Sequence, residues 1–500
     1  MTPYANFTYF GVVLFPVLPT LVLGLVGRLS RFWILAATVI MLVVQYGGSL
    51  SLWSGTPVPD TWIVVGWAAF EWGVAMSFLL ARARASHRLT FYAALAVALL
   101  PLALAKYLPV FSTAFPLGFL GISYVTFRSL EVIIGIQDGL IDSLRPEQYF
   151  AFLFFFPTVS SGPIDRYRRF ERDWKRQRTR AKFLEHLDAA IHRIFTGFLY
   201  KFIVAALVKQ YWMDPAASAD GALNTLSYMY AYSLYLFFDF AGYSAFAIGL
   251  SYLFGVQTPE NFDRPFLARN IRDFWNRWHI SLSWWLRDHV YMRFVMAATK
   301  GHWFKDKYLA SYLGLFLSMG LMGLWHGAAL HYILYGLYHG ALLVGHEVFG
   351  RWNRRRVLWG EGPFWRAAGV VLTFQLVCFG FLLFSGRLTT PRASASGTAY
   401  EGSLERAQCG GLSGWAWNGK QPDTSIGVEI FDGDILVATV PADHLRQDLV
   451  AAGKGNGYHG FAHVVPSSLK DGRPHTVWAK FAGTDLKLKG SPQTITCGGG

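Results

Sequence analysis

Across the first 390 positions, apolar residues gather into runs near twenty residues long, enough for a helix to cross a hydrocarbon core ~30 Å thick. The runs fall at about 7–27, 32–50, 61–82, 90–105, 117–139, 188–212, 224–254, 307–323, 327–348 and 364–385. A shorter apolar piece, Tyr149–Val159, ends in Ser-Ser-Gly-Pro and reads as a re-entrant or interfacial segment surrounded by protein. Between the seventh and eighth runs lies Asn261–Tyr291, apolar but interrupted by Arg269, Arg272, Arg277, Arg287, Asp273 and Asp288. Drawn as one helix, it places Trp275, Trp278, Leu282, Trp285 and Leu286 on one stripe, with His279 on the same face. That pattern predicts a helix at or dipping into the membrane interface, with His279 turned inward either as a core histidine or as a functional group. Beyond residue 400 the period changes. LSGWAW, IGVEIF, ILVATV, HGFAHVV and HTVWAKFA alternate or run apolar over short lengths between Gly-, Asp- and Asn-rich turns. The expected fold is an all-α polytopic membrane protein of about 10–11 transmembrane helices plus re-entrant and interfacial helices, followed by a small all-β domain. Boundaries follow as 1–390, a Pro/Ser/Ala-rich linker at 391–400, and 401–500.

Composition sharpens this picture. The chain is 53% hydrophobic with a net charge of +14. Residues 401–500 hold nine Lys+Arg against ten Asp+Glu, so the basic excess lies in the helical part. In a membrane protein such an excess marks cytoplasmic loops facing anionic lipid, or a surface for an acidic partner, before it marks nucleic-acid binding. Placing Arg28/Arg31, Arg82–Arg88, Arg166–Lys182 and Arg351–Arg356 in the cytoplasm gives ten crossings with both ends outside, the β domain included. The first run lacks a basic stretch ahead of it and reads as a retained span. Cys409 and Cys497 bracket the β domain, and a disulfide between them requires an oxidising compartment, whereas Cys378 lies inside an apolar run. Trp415 and Trp417 share a strand face and read as core before they read as a sugar platform.

Ionisable residues within apolar spans are costly and mark candidate sites. Glu71 is one. Arg128 and Glu131, three apart, read as a buried structural pair. Asp239 stands ahead of Gly242, Ser244 and Gly249, small residues suited to close helix packing, and reads as holding a helix break or lining a polar cavity. The segment Ile164–Lys182 carries nine basic and three acidic residues interleaved with Tyr167, Phe170 and Trp174. It suits either an anchor on anionic lipid or a docking site for an acidic carrier. His326 sits between Trp325 and Gly327, with His331, His339 and His346 following. Their offsets from His326 rotate by ~140°, ~220° and ~200° on a helix, which argues against a metal site.

Two motifs carry a family resemblance. DFWNRWHISLSWWLRDHVYMRF (Asp273–Phe294) and GLWHG (Gly323–Gly327) resemble the signature of the membrane-bound O-acyltransferases. Within that superfamily GISYVTFRSLEVI (Gly121–Ile133), FFPTVSSGPIDRYRRF (Phe155–Phe170) and YMRF (Tyr291–Phe294) resemble the branch of D-alanyl transfer proteins of cell-envelope modification, over about residues 5–390. Ala245 stands where the alginate O-acetylase branch carries an aspartate. The resemblance implies a bacterial plasma-membrane enzyme that takes a D-alanyl group from a phosphopantetheine thioester on an acidic cytoplasmic carrier. The group leaves as an ester on an envelope hydroxyl outside, directly or through an extracytoplasmic partner transferase. It also implies that the family's two motif histidines are His326 and His279. A hydroxyl is a weak nucleophile at neutral pH, and a neutral imidazole shielded by Trp325 suits the role of its base. Trp325, Arg277, Asp239 and Ser281 become candidates to line the substrate path; Arg166, Arg168, Arg169 and Arg172 become candidates to dock the carrier.

Two alternatives are kept. A polysaccharide O-acetyltransferase using acetyl-CoA shares the fold and the histidine. A transporter would also need many spans and intramembrane charges, but the chain has no obvious inverted repeat and a transporter gives no reason for the paired histidine motifs.

Overall fold

The structure is a computed structural model that describes residues 2–46, 59–84, 88–107, 119–176, 179–218, 221–306, 308–356, 358–389 and 400–498. It forms two compact units, Met1–Thr390 and Pro391–Gly500. The expected linker lies outside the described residues apart from Tyr400.

The first unit is helical. It opens with α1 (Phe7–Leu25), α2 (Arg31–Tyr46), α3 (Pro59–Arg84), α4 (Arg88–Tyr107) and α5 (Ile122–Gln137). The short helices α6 (Pro146–Phe154) and α7 (Tyr167–Lys175) follow, then α8 (Arg180–Phe198). Two π-helical stretches, Leu199–Ala205 and Lys209–Met213, continue α8 on either side of α9 (Ala206–Val208) and ahead of α10 (Asp214–Ser218). Next come α11 (Ala222–Leu253), α12 (Ile271–Trp275), α13 (Ile280–Leu286) and α14 (Met292–Lys300), and finally α15 (Leu309–His326), α16 (Leu330–Arg356) and α17 (Pro363–Phe384). Each of the ten apolar runs has a helix, and among the described residues seven helices are long and apolar enough to cross a membrane. Arg31–Tyr46 is apolar but short.

Apart from the half-buried Phe150, the Tyr149–Val159 segment is buried. Arg128 supplies donors to three of its main-chain carbonyls. That guanidinium donates to the carbonyls of Phe152, Leu153 and Thr158, each at 3.0 Å, and to Thr158 Oγ1 at 2.6 Å. Gly121, at φ +93°, lets the same segment approach α5: a Cβ there would lie 2.4 Å from the Val159 carbonyl oxygen. The expected Arg128–Glu131 pair therefore does not form. Arg128 is consumed by carbonyls, and Glu131 instead accepts from Arg166 and His289, both at 2.6 Å. Glu71 pins α3 to α5 by accepting from Ser129 Oγ at 2.6 Å, while Tyr149 donates to its carbonyl oxygen at 3.1 Å.

Two further expectations change. Asn261–Tyr291 is not one helix: it breaks after Trp275, resumes at Ile280, and passes through a π-helical stretch at Arg287–Tyr291. Asp239 holds no helix break, since α11 is continuous around it. It is ion-paired with Lys201 of the neighbouring π-helical stretch.

The second unit is a sandwich of two four-stranded antiparallel sheets, ordered β1-β2-β6-β5 and β4-β3-β7-β8. The strands are β1 (Tyr400–Gln408), β2 (Gly411–Asn418), β3 (Ile426–Asp432), β4 (Ile435–Ala442), β5 (His444–Leu445), β6 (Tyr458–His463), β7 (Pro474–Phe481) and β8 (Gln493–Thr496). Its core holds Leu412, Val428, Ile430, Phe461, Val477 and Phe481. A disulfide joins Cys409 to Cys497. Trp415 and Trp417 are not core: β2 turns Leu412, Gly414 and Ala416 inward, which puts the tryptophans on the outer face beneath Lys454.

Candidate active site

The break in the Asn261–Tyr291 stretch is built by hydrogen bonds. Asn270 caps α12 by accepting from the Asp273 amide at 2.9 Å, and Asp273 accepts in return from the Arg269 amide at 3.0 Å. After Trp275 the chain turns into a short antiparallel bridge, Phe262 opposite Trp278. The Asp263 amide donates to the Arg277 carbonyl and the Ile280 amide to the Asn261 carbonyl, both at 3.0 Å. His279 is thereby held at φ +44°, ψ +52°, a left-handed conformation that L-residues seldom adopt. Asn261 is fully buried and braces this turn. Its Oδ1 accepts from Ser281 Oγ at 2.6 Å, and Ser281 Oγ accepts from the Ile164 amide at 2.9 Å.

His326 is placed differently, as the last residue of α15. The carbonyls at a helix C-terminus lack partners within the helix. Here α4 supplies them: Tyr107 donates to the Leu324 carbonyl at 2.7 Å, and Lys106 donates to the Trp325 carbonyl. The Lys106 ammonium also lies 5.2 Å from the centroid of the Trp325 ring. Trp325 is backed by Phe127 of α5 at 5.7 Å, so the turn bearing His326 is clamped from two helices.

Both histidines line one cavity of about 60 Å³. Its walls are aromatic and aliphatic: Leu236 and Phe240 from α11, Trp275, Trp278 and Leu282, and Phe381 and Phe384 from α17. The His326 ring lies 4.5 Å from Trp325 and 4.8 Å from Phe384; the His279 ring lies 4.9 Å from Phe240 and 6.4 Å from Trp325. Among the described residues neither ring nitrogen of His279 has a protein partner. Both nitrogens are thereby available to a group that enters the cavity.

Of the remaining candidates, Trp325 touches both histidines, while Arg277, Asp239 and Ser281 lie elsewhere. Arg277 pairs with Asp273 at 2.7 Å and Asp263 at 3.6 Å; Ser281 and Asp239 make the structural bonds already described. His339 stands behind the cavity wall, 5.1 Å from Trp275 and 4.6 Å from Tyr335. His331 packs at a tilt against Tyr332 outside the cavity, and no three metal-ligating side chains converge among the described residues. Lys106, Tyr107 and Asn261 are not signalled by the sequence, since each acts on groups remote in the chain.

The four arginines considered for carrier docking divide. Arg166 is bound to Glu131, to Asp288 at 2.8 Å and to His289. Arg169 is bound to Asp165 and to Asp173 at 3.5 Å. These two hold α7 in place. Arg168 and Arg172 are exposed, four residues apart on α7.

Two histidines face one apolar cavity in a bundle that includes membrane-crossing helices, which makes this a membrane-embedded site holding groups suited to acid–base chemistry. The chain belongs to the MBOAT, membrane-bound O-acyltransferase family, whose model matches residues 27–385. It is 41% identical over 397 residues to the teichoic acid D-alanyltransferase of Bacillus subtilis, covering 77% of this chain and 98% of that protein. The teichoic acid D-alanyltransferase of Streptococcus thermophilus is 36% identical over 407 residues, 78% of this chain and 96% of that protein. A probable alginate O-acetylase of Pseudomonas aeruginosa is 36% identical over 279 residues, 53% of this chain and 48% of that protein. The protein is a multi-pass membrane O-acyltransferase.

Proposed function

We propose that this enzyme moves a D-alanyl group from a phosphopantetheine thioester, presented by an acidic carrier protein in the cytoplasm, to a hydroxyl of a cell-envelope polymer or partner transferase. The observation that carries the reading is the shared cavity of His326 and His279, in a chain whose teichoic acid D-alanyltransferase relatives match over nearly their whole length. His326 takes the proton of the acceptor hydroxyl as its oxygen attacks the thioester carbonyl carbon. The new C–O bond forms, the C–S bond then breaks, and the imidazolium returns the proton to the departing thiolate. His279 donates to the carbonyl oxygen while that oxygen carries negative charge. The apolar walls keep water, a competing nucleophile, away from the acyl group.

The test is transfer by protein in liposomes from a D-alanyl carrier, beside His326→Ala. Loss of about 10²–10⁴-fold in rate at unchanged protein level is expected for removal of a general base. Near-wild-type transfer by the variant would remove the mechanism. Turnover from acetyl-CoA and none from the carrier would favour the second reading, an O-acetyltransferase, which the alginate relatives support over about half their length.

Carrier docking falls to the exposed Arg168 and Arg172. Reversing both to Glu is expected to raise the carrier concentration needed for half-maximal rate about tenfold at low salt, and less at high salt. An unchanged requirement would make α7 a lipid anchor. The enzyme resides in the bacterial plasma membrane, with its basic clusters in the cytoplasm and residues 401–500 outside, where they engage the acceptor polymer or a partner transferase.

A further inference from the structure

A second cavity lies apart from the catalytic one. It is a groove of about 760 Å³ between the C-terminal half of α16 and α17, with Ile271 of α12 at its floor. Its length is apolar, lined by Leu342, Phe349, Leu372 and Leu376. Its mouth is polar and aromatic, with Arg269, Arg366 and the ring pair Trp359–Trp365, whose centroids are 4.9 Å apart.

The mouth is a built feature. Asn353 holds its loop by accepting from the Trp359 amide at 2.7 Å and donating to the Trp359 carbonyl at 2.8 Å. Gly369 lets the Arg269 segment lie directly on α17, since a Cβ there would fall 2.6 Å from the Arg269 carbonyl oxygen. Arg366 spends its Nε on the Glu361 carbonyl at 3.2 Å, and Arg269 is exposed. Neither guanidinium has a carboxylate partner among the described residues. Glu361 is the acidic side chain in the lining, and the nearby Glu347 is engaged by Arg272, so the mouth stays positive. The far side of α16 has the same character, with Arg351 3.9 Å from the Tyr308 ring centroid and Arg356 5.9 Å from that of Trp352. Arginine beside tryptophan at the end of a membrane-crossing helix, as Arg366 and Trp365 stand at the start of α17, is the composition of the headgroup layer.

We propose that this groove is a binding site for one anionic phospholipid, its phosphate held by Arg269 and Arg366 and an acyl chain laid along Leu342, Leu372 and Leu376. Two guanidiniums suit a phosphate better than a zwitterionic headgroup whose cation they repel. The groove and the catalytic cavity share α12, with Ile271 in one and Trp275 in the other. A bound lipid therefore buttresses the short helix from which the His279 turn departs.

The test is native mass spectrometry and thermal unfolding of the detergent-purified protein with phosphatidylglycerol, phosphatidylcholine or soluble glycerol phosphate. Wild type is expected to retain one phosphatidylglycerol with an affinity about tenfold above that for phosphatidylcholine, and to gain thermal stability from it. Arg269→Gln/Arg366→Gln is expected to lose that molecule and the stabilisation. Leu372→Trp, which fills the groove and keeps the charges, is expected to lose it as well. Equal retention of both lipids, or unchanged preference in either variant, overturns the proposal. Stabilisation by glycerol phosphate alone also overturns it, because the site would then recognise a free anion.

Discussion

His279 shows how one residue can carry two demands. Its backbone sits in the left-handed region, which costs an ordinary L-residue roughly 1–2 kcal/mol, while its ring must face the cavity. Asn visits that region readily and is short and polar, so His279→Asn separates the two demands. The variant is expected to accumulate and unfold like wild type but to lose transfer by about 100-fold or more, the scale of losing one oriented donor. His279→Val, a β-branched residue at the same φ, is expected to lose stability as well, read as a lower unfolding temperature in detergent. A near-wild-type rate for His279→Asn would leave the ring a purely structural role. The apolar stripe in the sequence correctly turned this ring inward. It could not show the strained turn, because the hydrogen bonds that enforce it come from Asn261, eighteen positions upstream.

At the level of elements, the position of His326 depends on how closely α15 and α16 approach. Gly323 and Gly336 face each other across that crossing. A Cβ on Gly336 would fall 2.4 Å from the Met319 carbonyl oxygen, and one on Gly323 would fall 2.5 Å from that of Tyr332. Both obstacles are main chain, so the helices must separate to admit a methyl group. Gly336→Ala is expected to cost about 1–3 kcal/mol as overpacking and to slow transfer by moving the last turn of α15. Gly320→Ala, on the same helix with no atom within 4 Å of its Cβ, is the control and should leave both unchanged. Equal behaviour of the two variants would detach the crossing from catalysis. The helices themselves were legible, because runs of twenty apolar residues have few other solutions. Which ionisable residues pair was not. Arg128 and Glu131 stand three apart yet serve different partners, one the carbonyls of a buried turn and the other Arg166 and His289, and that choice is made by segments distant in sequence. The outward-facing Trp415 and Trp417 were misjudged for a related reason: alternation tells that two residues share a face, and the partner sheet decides which face is inside.

Taken whole, the molecule couples a membrane-embedded catalyst to a β sandwich closed by Cys409–Cys497, and that bond makes the orientation testable. With the basic clusters in the cytoplasm, as proposed above, ten crossings would return the C-terminus to the side of the N-terminus, whereas an odd number, such as the seven helices that qualify as spans among the described residues, would put it on the opposite side. An 88-residue separation between the cysteines corresponds to about 4–5 kcal/mol in the chain-entropy account, a contribution available where the bond can persist. In membranes isolated under thiol-trapping conditions, Cys409 and Cys497 are expected to resist alkylation until reductant is added. Cys378, buried within α17, should react after denaturation without any reductant. Trapping of both C-terminal cysteines as free thiols in growing cells would place the sandwich in the cytoplasm. An odd number of crossings would then follow if the basic clusters kept their side, and the β unit would have to meet the carrier rather than the acceptor.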